Sequence, residues 1–461
     1  MRQLIHNGVL IPRYDARGFS IKIRRKEVKL TPVQEEMAVA WIKKQGTEYI
    51  KDWRFVKNFF TDFCKAFGLH ERLDPENFDF SEIQKYIEEE RNRKLNLSKE
   101  EKKKLAEERK ALREANKQKY GYVIVDGLRV EASNYIAEPS CIFMGRGKHP
   151  LRGCWKQGPS EEDVTLNLSP DAPRPKGSWK ITWEPDSMWI ARWDDKMRGK
   201  KKYIWLAESF TLKQKRDIEK FNQANALEHK IERLRAQIMK NLNSNNLMRR
   251  KVATVCYLTD TLKMRVGDEK DKDEADTVGA TTLRPEHITF HPNGSVSFDF
   301  LGKDAVRWHK EINPPKPVIN NLKEFINNAR SSVFQGVRSD HVKMFLSEVV
   351  PNLTAKVFRT YHASKVVREF LQNTKVSKTD PSYIKKHIAT MANLQAAIVC
   401  NHKRKLPKKW RESLAKKQER LKKLRAKKTK RSKEAVKAFQ NRIKIMKATR
   451  DYNLHTSLKS Y

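Results

Sequence analysis

FDFLGKDAVRW, residues 298–308, is the stretch around which this sequence is organised. Apolar residues alternate at Val296, Phe298 and Phe300, a period typical of a strand with one buried face. The run ends at Leu301-Gly302, so the pattern predicts a turn from which the side chain of Lys303 projects. A lone lysine after a turn is usually a solvated surface charge, and this stretch alone leaves that alternative open.

Three other stretches favour a functional role for Lys303. They are LKMRVGDEKD at 262–271, TAKVFRTYHAS at 354–364 and IVCNHKR at 398–404. Together with the opening stretch they supply four basic residues in the order Arg, Lys, Arg, His: Arg265, Lys303, Arg359 and His402. We call these four residues the tetrad. Their charges are those needed to hold a phosphodiester in its transition state.

Composition points to a polyanionic partner. The chain has 461 residues, enough for two or three domains, and a formal net charge of +41. Nucleic acid is the expected partner, and a neutral metabolic enzyme is excluded. No segment approaches ~18 consecutive apolar residues and the N-terminus lacks a signal-peptide core, so we expect a soluble, intracellular protein with no membrane partner.

Cysteine usage and motifs argue against cofactors. The five cysteines are odd in number and widely spaced without a C-x-x-C pair, so we expect reduced thiols rather than disulfides or a zinc site. The sequence contains no phosphate-binding G-x-x-x-x-G-K-[ST] loop, and Gly145-Arg146-Gly147 lacks the rest of a dinucleotide fingerprint. No acidic Mg²⁺ cluster is evident. The prediction is therefore no cofactor and no metal.

Residues 1–115 are predicted to form a short strand followed by helices. Thr31-Pro32 predicts the start of a helix over 32–45, and Ser98 with Glu101 predicts a capping box inside a helical pair over 80–115. A further helix over 51–67 carries an aromatic stripe that we expect in the core: Trp53, Phe55, Phe59, Phe60 and Phe63.

Residues 120–206 read as short strands. Asp126-Gly127 predicts a hairpin turn, and we place Trp179, Trp183, Trp189 and Trp193 on strands. The loop at 145–152 combines glycines with the donors Arg146, Lys148, His149 and Arg152, which suits contact with a polyanion, although a flexible basic turn explains it equally well. Lys202-Tyr203 joins a charge to a flat hydrogen-bonding side chain, a common pairing for phosphate contact.

The second half is mostly helical. We predict an amphipathic run from Thr211 to about Lys263, interrupted near 241–245, and helices over 317–334, 339–350, 355–372 and 381–400. His402 follows the last of these, where a positive imidazole would suit the negative end of the helix dipole. Residues 403–450 carry a net charge of +19 and two thin apolar seams, which predicts an antiparallel helical hairpin. A disordered basic tail is the alternative.

The chain resembles the eukaryotic type IB DNA topoisomerases, and the likeness runs from about His6 to His402. It rests on ordered blocks: KLTPVQEE, VKNFF, FMGRGKHP, KYIWL, ADTVG, LRPEHI, FDFLGKD, LTAKVFRTY and CNHKR. The resemblance implies an α+β multidomain clamp. Residues 1–210 would form a mixed α/β DNA-binding cap, 211–404 a mostly helical catalytic lobe related to the tyrosine recombinases, and 405–461 a basic linker-like helical hairpin and tail.

The resemblance also implies a chemistry. A tyrosine attacks one phosphodiester, forms a 3′-phosphotyrosyl link, lets the cut strand rotate and is expelled by the free 5′-hydroxyl, which needs neither ATP nor metal. Arg265 and Arg359 would bind the non-bridging oxygens, Lys303 would protonate the 5′-oxygen, and His402 would donate a hydrogen bond to a non-bridging oxygen. The expected location is the nucleus, with the mitochondrion or kinetoplast as a further compartment.

Further DNA contacts are expected in the matching blocks, and their residues are Arg146, His149, Lys202, Tyr203, Val266, Gly267, Asp268, Glu269, Lys270, Asp304, Thr354, Ala355 and Lys356.

The family nucleophile lies in S-K-x-x-Y, whereas this sequence reads T-S-L-K-S-Y with Tyr461 as its last residue. The chain most resembles the large subunit of the split, heterodimeric enzyme of kinetoplastid protozoa, in which a small subunit supplies the tyrosine. We favour this interpretation because a terminal tyrosine has no downstream fold to hold it in line for attack. Use of Tyr461 itself, a tyrosine recombinase, and a non-catalytic DNA- or chromatin-binding protein are the alternatives.

Overall fold

The computed structural model describes residues 1–145, 147, 149–268, 277–426 and 430–455. The chain forms two compact units, Met1–Lys215 and the described residues from Arg216 onward. Each unit has hydrophobic clusters of its own. The expectation of a mixed α/β, multidomain protein is confirmed.

Among its described residues, unit one contains four complete α-helices, the first turn of α5 (Thr211–Asn241) and twelve short strands. The helices are α1 (Pro32–Ile42), α2 (Trp53–Ala66), α3 (Ser81–Asn96) and α4 (Lys99–Tyr120). The strands are β1 (Leu4–Ile5), β2 (Ser20–Ile23), β3 (Lys26–Lys29), β4 (Phe78–Asp79), β5 (Tyr122–Val125), β6 (Leu128–Glu131), β7 (Cys141–Ile142), β8 (Trp155–Lys156), β9 (Thr165–Asn167), β10 (Lys180–Thr182), β11 (Trp189–Asp194) and β12 (Lys201–Trp205). They form sheets in the orders β1-β5-β6, β3-β2-β4, β7-β8 and β10-β9-β11-β12.

The predicted helix starts in unit one are confirmed. Thr31 caps α1: its Oγ1 accepts from the Gln34 N–H at 3.4 Å, and its own N–H donates to the Gln34 side chain at 2.9 Å. Helix α1 ends at Ile42 rather than 45. Ser98 and Glu101 form the capping box of α4, with bonds of 2.7 and 3.1 Å. Caps are recognisable from sequence because both partners lie within four residues of each other.

The aromatic stripe of α2 is confirmed except at its first residue. Phe55, Phe59, Phe60 and Phe63 are all buried in the core of unit one. Trp53 is 67% exposed, so its expected burial was wrong. It lies two positions before Phe55, which turns its side chain to the opposite face of the helix.

The predicted hairpin between β5 and β6 is confirmed. Asp126 and Gly127 both have positive φ, 48° and 78°, as a two-residue type I′ turn requires. Two tryptophan assignments need correction. Trp189 lies on β11, as does Trp193, but Trp179 and Trp183 flank the three-residue strand β10 instead of lying on strands.

Unit two packs helices around one three-stranded sheet. Its strands are β13 (Ile288–Phe290), β14 (Val296–Gly302) and β15 (Val306–Ile312), in the order β13-β14-β15. Its helices are α5 (Thr211–Asn241, shared with unit one up to Lys215), α6 (Leu247–Leu262), α7 (Lys316–Asn327), α8 (Ser339–Ser347), α9 (Ala355–Gln372), α10 (Ser382–Val399), α11 (Trp410–Ala426) and α12 (Lys430–Ala448).

Most helix boundaries in unit two agree with the periodicity. The interruption near 241–245 separates α5 from α6, which Asn246 caps by accepting from the Arg249 N–H at 3.0 Å. The helix expected over 317–334 ends at Asn327. Beyond the helix, Val333 and Phe334 are buried in the core, where the Val333 N–H donates to the Leu283 carbonyl at 2.8 Å.

The predicted hairpin in the basic tail is confirmed for its described residues. Helices α11 and α12 pack against each other, and α12 also packs against α10. Two apolar residues of α12, Phe439 and Ile443, are buried. Across the described part of the chain, no helix combines the length and apolarity that crossing a membrane requires.

Candidate active site

Arg265 follows the end of α6. The helix stops at Leu262, and Lys263 takes a left-handed conformation with φ of 59°, which redirects the chain. Gly267 then crosses Gly279 so closely that a Cβ on Gly267 would lie 2.8 Å from the Gly279 Cα. The Ala280 N–H donates to the Arg265 carbonyl at 2.8 Å. These constraints hold the backbone of the arginine while its side chain stays exposed.

Lys303 lies at the tip of a hairpin. Strands β14 and β15 pair in continuous register up to Gly302 and Val306, leaving Lys303–Ala305 as the connecting turn. Ala305 has a φ of 56°, which closes the turn. The prediction that a strand ending at Gly302 presents this lysine from a turn is therefore confirmed.

Arg359 and His402 come from two neighbouring helices. Arg359 lies on α9, and its Nη2 donates to the Cys400 carbonyl at 3.0 Å. His402 follows α10 through a Schellman motif, in which Asn401 has a φ of 53°, its N–H donates to the Ile398 carbonyl at 3.1 Å, and the His402 N–H donates to the Ala397 carbonyl at 2.8 Å. Asparagine tolerates the left-handed position, so C-N-H is a sequence well suited to fixing a histidine after a helix.

All four tetrad residues line one pocket of about 210 Å³ within unit two. The remaining lining residues are Met264, Val278, Gly279, Phe300, Gly302, Val306, Trp308, Cys400, Asn401, Lys403 and Asn453. Phe300 and Trp308 stack at 5.4 Å and form an aromatic part of the wall. Residues up to 137 positions apart in sequence thus meet at one pocket lined by basic side chains.

His402 is neutral in this pocket at neutral pH. Burial, followed by the charges of Arg359 and Arg265, lowers the pKa of His402 to about 4. The Arg359 Nη2 lies 3.2 Å from the His402 Nε2, and because a guanidinium carries only donors, Nε2 is the acceptor. The expected position after α10 is right, but the expected positive charge is wrong, because desolvation and the two arginines outweigh the helix dipole.

The tail returns to the pocket, which the sequence did not reveal. The Asn453 N–H donates to the His402 carbonyl at 2.7 Å, and Lys403 pairs with Tyr452 in an isolated antiparallel bridge. Arg404 holds the end of α12, with Nη2 donating to the Thr449 carbonyl at 2.8 Å. We call residues 449–453 the tail seat. No local motif signals a pairing between residues about fifty positions apart.

The other DNA contacts expected in unit two lie beside the tetrad segments. Val266, Gly267 and Asp268 directly follow Arg265, and Asp268 accepts from the Ser339 N–H at 3.0 Å. Thr354 is the N-cap residue of α9, and Ala355 and Lys356 form its first turn. Arg146, Glu269, Lys270 and Tyr461, together with the side chain of Asp304, lie outside the described residues.

Within unit one, the expected contact residues differ in exposure. His149 is buried, its Nδ1 accepts from the Leu151 N–H at 3.1 Å, and its ring lies edge-on to Phe143. Lys202 is partly exposed and lies 3.7 Å from a Glu138 oxygen, and the Tyr203 ring lies 5.0 Å from that of Trp205. Their contact with DNA stays a prediction, and His149 in particular supports its loop from inside.

Comparison with known proteins matches both units. Residues 1–206 match the family described as eukaryotic DNA topoisomerase I, DNA binding fragment, and residues 209–435 match eukaryotic DNA topoisomerase I, catalytic core. The chain is 35% identical to DNA topoisomerase 1 of Candidozyma auris, over 89% of this chain and 56% of the relative. It is 34% identical to DNA topoisomerase 1 beta of Arabidopsis thaliana (88% and 45%) and 34% identical to the mitochondrial DNA topoisomerase I of Homo sapiens (90% and 71%).

A basic tetrad lines one pocket of a mostly helical unit, and both units match models of a single family. The chain belongs to the eukaryotic DNA topoisomerase I family. It spans about half the length of the first two relatives named above.

Proposed function

We propose that this chain is a type IB DNA topoisomerase that relaxes supercoiled DNA without ATP or metal. The convergence of Arg265, Lys303, Arg359 and His402 on one pocket carries the proposal. A protein that only binds phosphates needs many interchangeable cations, whereas transesterification needs these four types together. Planar guanidinium groups follow negative charge on the non-bridging oxygens, and a lysine at a hairpin tip can reach a leaving oxygen.

The proposal assigns each unit a task. Unit one, which matches the DNA binding fragment, would form the cap of a clamp around duplex DNA, and unit two would form the catalytic lobe, related to the tyrosine recombinases. The net charge of +41 supports a clamp that grips the backbone. The nucleus is the proposed location. A mitochondrial or kinetoplast location is the alternative, and two relatives are named as mitochondrial.

Two sources of the nucleophile are compatible with the tetrad. In the heterodimeric proposal, a separate small subunit brings a tyrosine in an S-K-x-x-Y motif. In the single-chain proposal, Tyr461 attacks. The tail seat is compatible with the second, because Asn453 lines the pocket and Tyr461 follows it by eight residues, a reach of up to about 26 Å.

The test is a denaturing-gel assay with a nicked suicide substrate. If Tyr461 is the nucleophile, the purified chain forms a covalent protein–DNA band that Tyr461→Phe abolishes, and the chain alone relaxes supercoiled plasmid. If a small subunit supplies the tyrosine, the band forms only when a tyrosine-bearing partner is added and Tyr461→Phe has no effect. Tight DNA binding with no adduct under either condition would instead identify a non-catalytic binding protein.

A further inference from the structure

One buried carboxylate joins three helices of unit two. Asp260 lies on α6, and both of its oxygens are engaged: Oδ1 accepts from the His362 Nε2 at 2.7 Å, and Oδ2 accepts from the Arg235 Nε at 2.8 Å. His362 is on α9 and Arg235 is on α5. Asp260 and His362 are both buried. We call these three residues the Asp260 network.

Asp260, the central residue of the network, is ionised. Burial raises the pKa of Asp260, but the hydrogen bonds from His362 and Arg235 outweigh burial and hold the pKa below its usual range. Burial lowers the pKa of His362, against the hydrogen bond to Asp260. Asp260 is therefore ionised and His362 neutral at neutral pH. An ionised carboxylate only accepts, so the imidazole proton sits on Nε2.

The positions of these residues connect the network to the tetrad. Asp260 lies in the last turn of α6, five residues before Arg265. His362 lies one helical turn after Arg359, on the same helix. The bond between Asp260 and His362 therefore ties together the two segments that carry the two arginines.

We infer that Asp260, His362 and Arg235 are positioning residues that set the placement of Arg265 relative to Arg359 for one phosphodiester. The inference rests on the proposed function. Apolar side chains could pack these helices at least as stably, because a buried ion pair loses much of its attraction to desolvation. What a short, directional hydrogen bond adds is resistance to sliding of α9 along α6. Two arginines that share one phosphate need placement within about half an ångström.

The chain offers a matched control for this network. Arg249 on α6 donates to both oxygens of Glu348, from Nη1 at 2.9 Å and Nη2 at 2.6 Å. This ion pair also tethers α6, but at the opposite end of the helix and about two-fifths exposed. A change at Glu348 therefore removes a tether of the same kind without touching the arginine segments.

The experiment compares His362→Phe, His362→Gln, Asp260→Asn and Glu348→Gln. We expect His362→Phe, which loses the donor, to slow single-turnover cleavage roughly tenfold while leaving duplex affinity within about twofold, as for a small misplacement of catalytic groups. His362→Gln, which keeps a donor, should recover most of the rate, and Glu348→Gln should match the wild type. Equal cleavage by His362→Phe and the wild type would overturn the inference.

A second measurement does not depend on activity. Amide hydrogen exchange of the DNA-free protein at residues 263–268 should accelerate in His362→Phe and in Asp260→Asn, and stay at the wild-type rate in Glu348→Gln. Unchanged exchange at those residues would contradict the positioning role even if the protein proved to be a binding protein only. If His362→Phe does not fold, Asp260→Asn, which preserves the side-chain shape, decides between the outcomes.

Discussion

The contact between Arg359 and His402 should couple protonation of His402 to the binding of a phosphodiester in the pocket. In the DNA-free protein, the His402 Nε2 accepts from Arg359, and the pKa of His402 is lowered to about 4 by burial and by the two arginine charges. A phosphodiester entering the pocket would draw Arg359 to its own oxygens and place a negative charge near the imidazole. Both changes favour the protonated imidazole, so the pKa of His402 should rise on binding.

DNA binding should therefore take up a proton at His402. In the DNA-free protein, His402 binds no proton between about pH 5 and 7, whereas in the DNA-bound protein it is protonated below its raised pKa. Duplex affinity should therefore increase as the pH falls through this range. Uptake of one proton can change the duplex affinity by at most about tenfold per pH unit. Duplex affinity measured from pH 7.5 to 5.5 checks this. His402→Gln should flatten the dependence, and identical slopes for the two proteins would contradict the coupling.

Lys303→Ala should slow cleavage far more than it weakens binding, because loss of a positioned general acid costs roughly 10²–10⁴ in rate. The measurement is single-turnover cleavage of a nicked duplex. Arg307→Gln is the matched control on the same hairpin, since Arg307 is exposed and its Nε donates to Asp299 at 2.9 Å. A substrate with a 5′-bridging sulfur needs little protonation on leaving and should restore the mutant rate. If it does not, Lys303 serves as a phosphate clamp.

The sequence predicts which side-chain types form the site, but not the surroundings of each side chain. The tetrad could be chosen because its four types lie in short recognisable blocks. The neutral state of His402 could not be predicted, because it depends on burial and on Arg265, which comes from a segment 137 positions away. Trp53 shows the same limit, since its exposure depends on which face of α2 meets the core.

The Schellman motif after α10 and the tail seat are joined by backbone hydrogen bonds. The motif fixes His402, and the next two residues bind the end of the tail through the Lys403–Tyr452 bridge and the Arg404 contacts. Helix starts and the β14–β15 turn could be predicted because their partners are local. The tail seat could not, since it joins segments separated by the whole α11–α12 hairpin.

Arg404→Ala should release the tail seat. Arg404 donates from its backbone N–H to the Asp451 carbonyl at 3.0 Å, and from its side chain to the carbonyls of Thr449 and Arg450, at 2.8 and 3.2 Å. Loss of these two side-chain hydrogen bonds should accelerate amide exchange at 449–453 and slow cleavage roughly tenfold, with little change in duplex affinity. Lys405→Ala removes the same charge from the exposed neighbour and is the control. Indistinguishable behaviour of the two variants would show that Arg404 does not hold the tail.

At the scale of the whole molecule, the charge is spread over the entire chain. Residues 403–450 account for +19 of the total of +41, so more than half lies outside the tail. Each Lys or Arg that neutralises a phosphate releases condensed counterions, and the entropy of that release drives binding at low salt. A duplex held only at the tetrad pocket would engage one phosphate, whereas a duplex gripped by both units would engage many.

Affinity for plain duplex DNA should therefore fall steeply with salt. Neutralising about six phosphates gives a slope near −5 for log affinity against log salt concentration, and a clamp should reach at least this value. Changing Lys416 and Lys422 of α11 to glutamine should reduce the slope by less than about 2, because at most two phosphate contacts are lost. The Lys303→Ala variant should keep nearly the wild-type slope, since it removes one contact among many. A wild-type slope equivalent to only one or two phosphates would contradict the clamp and confine DNA contact to the pocket.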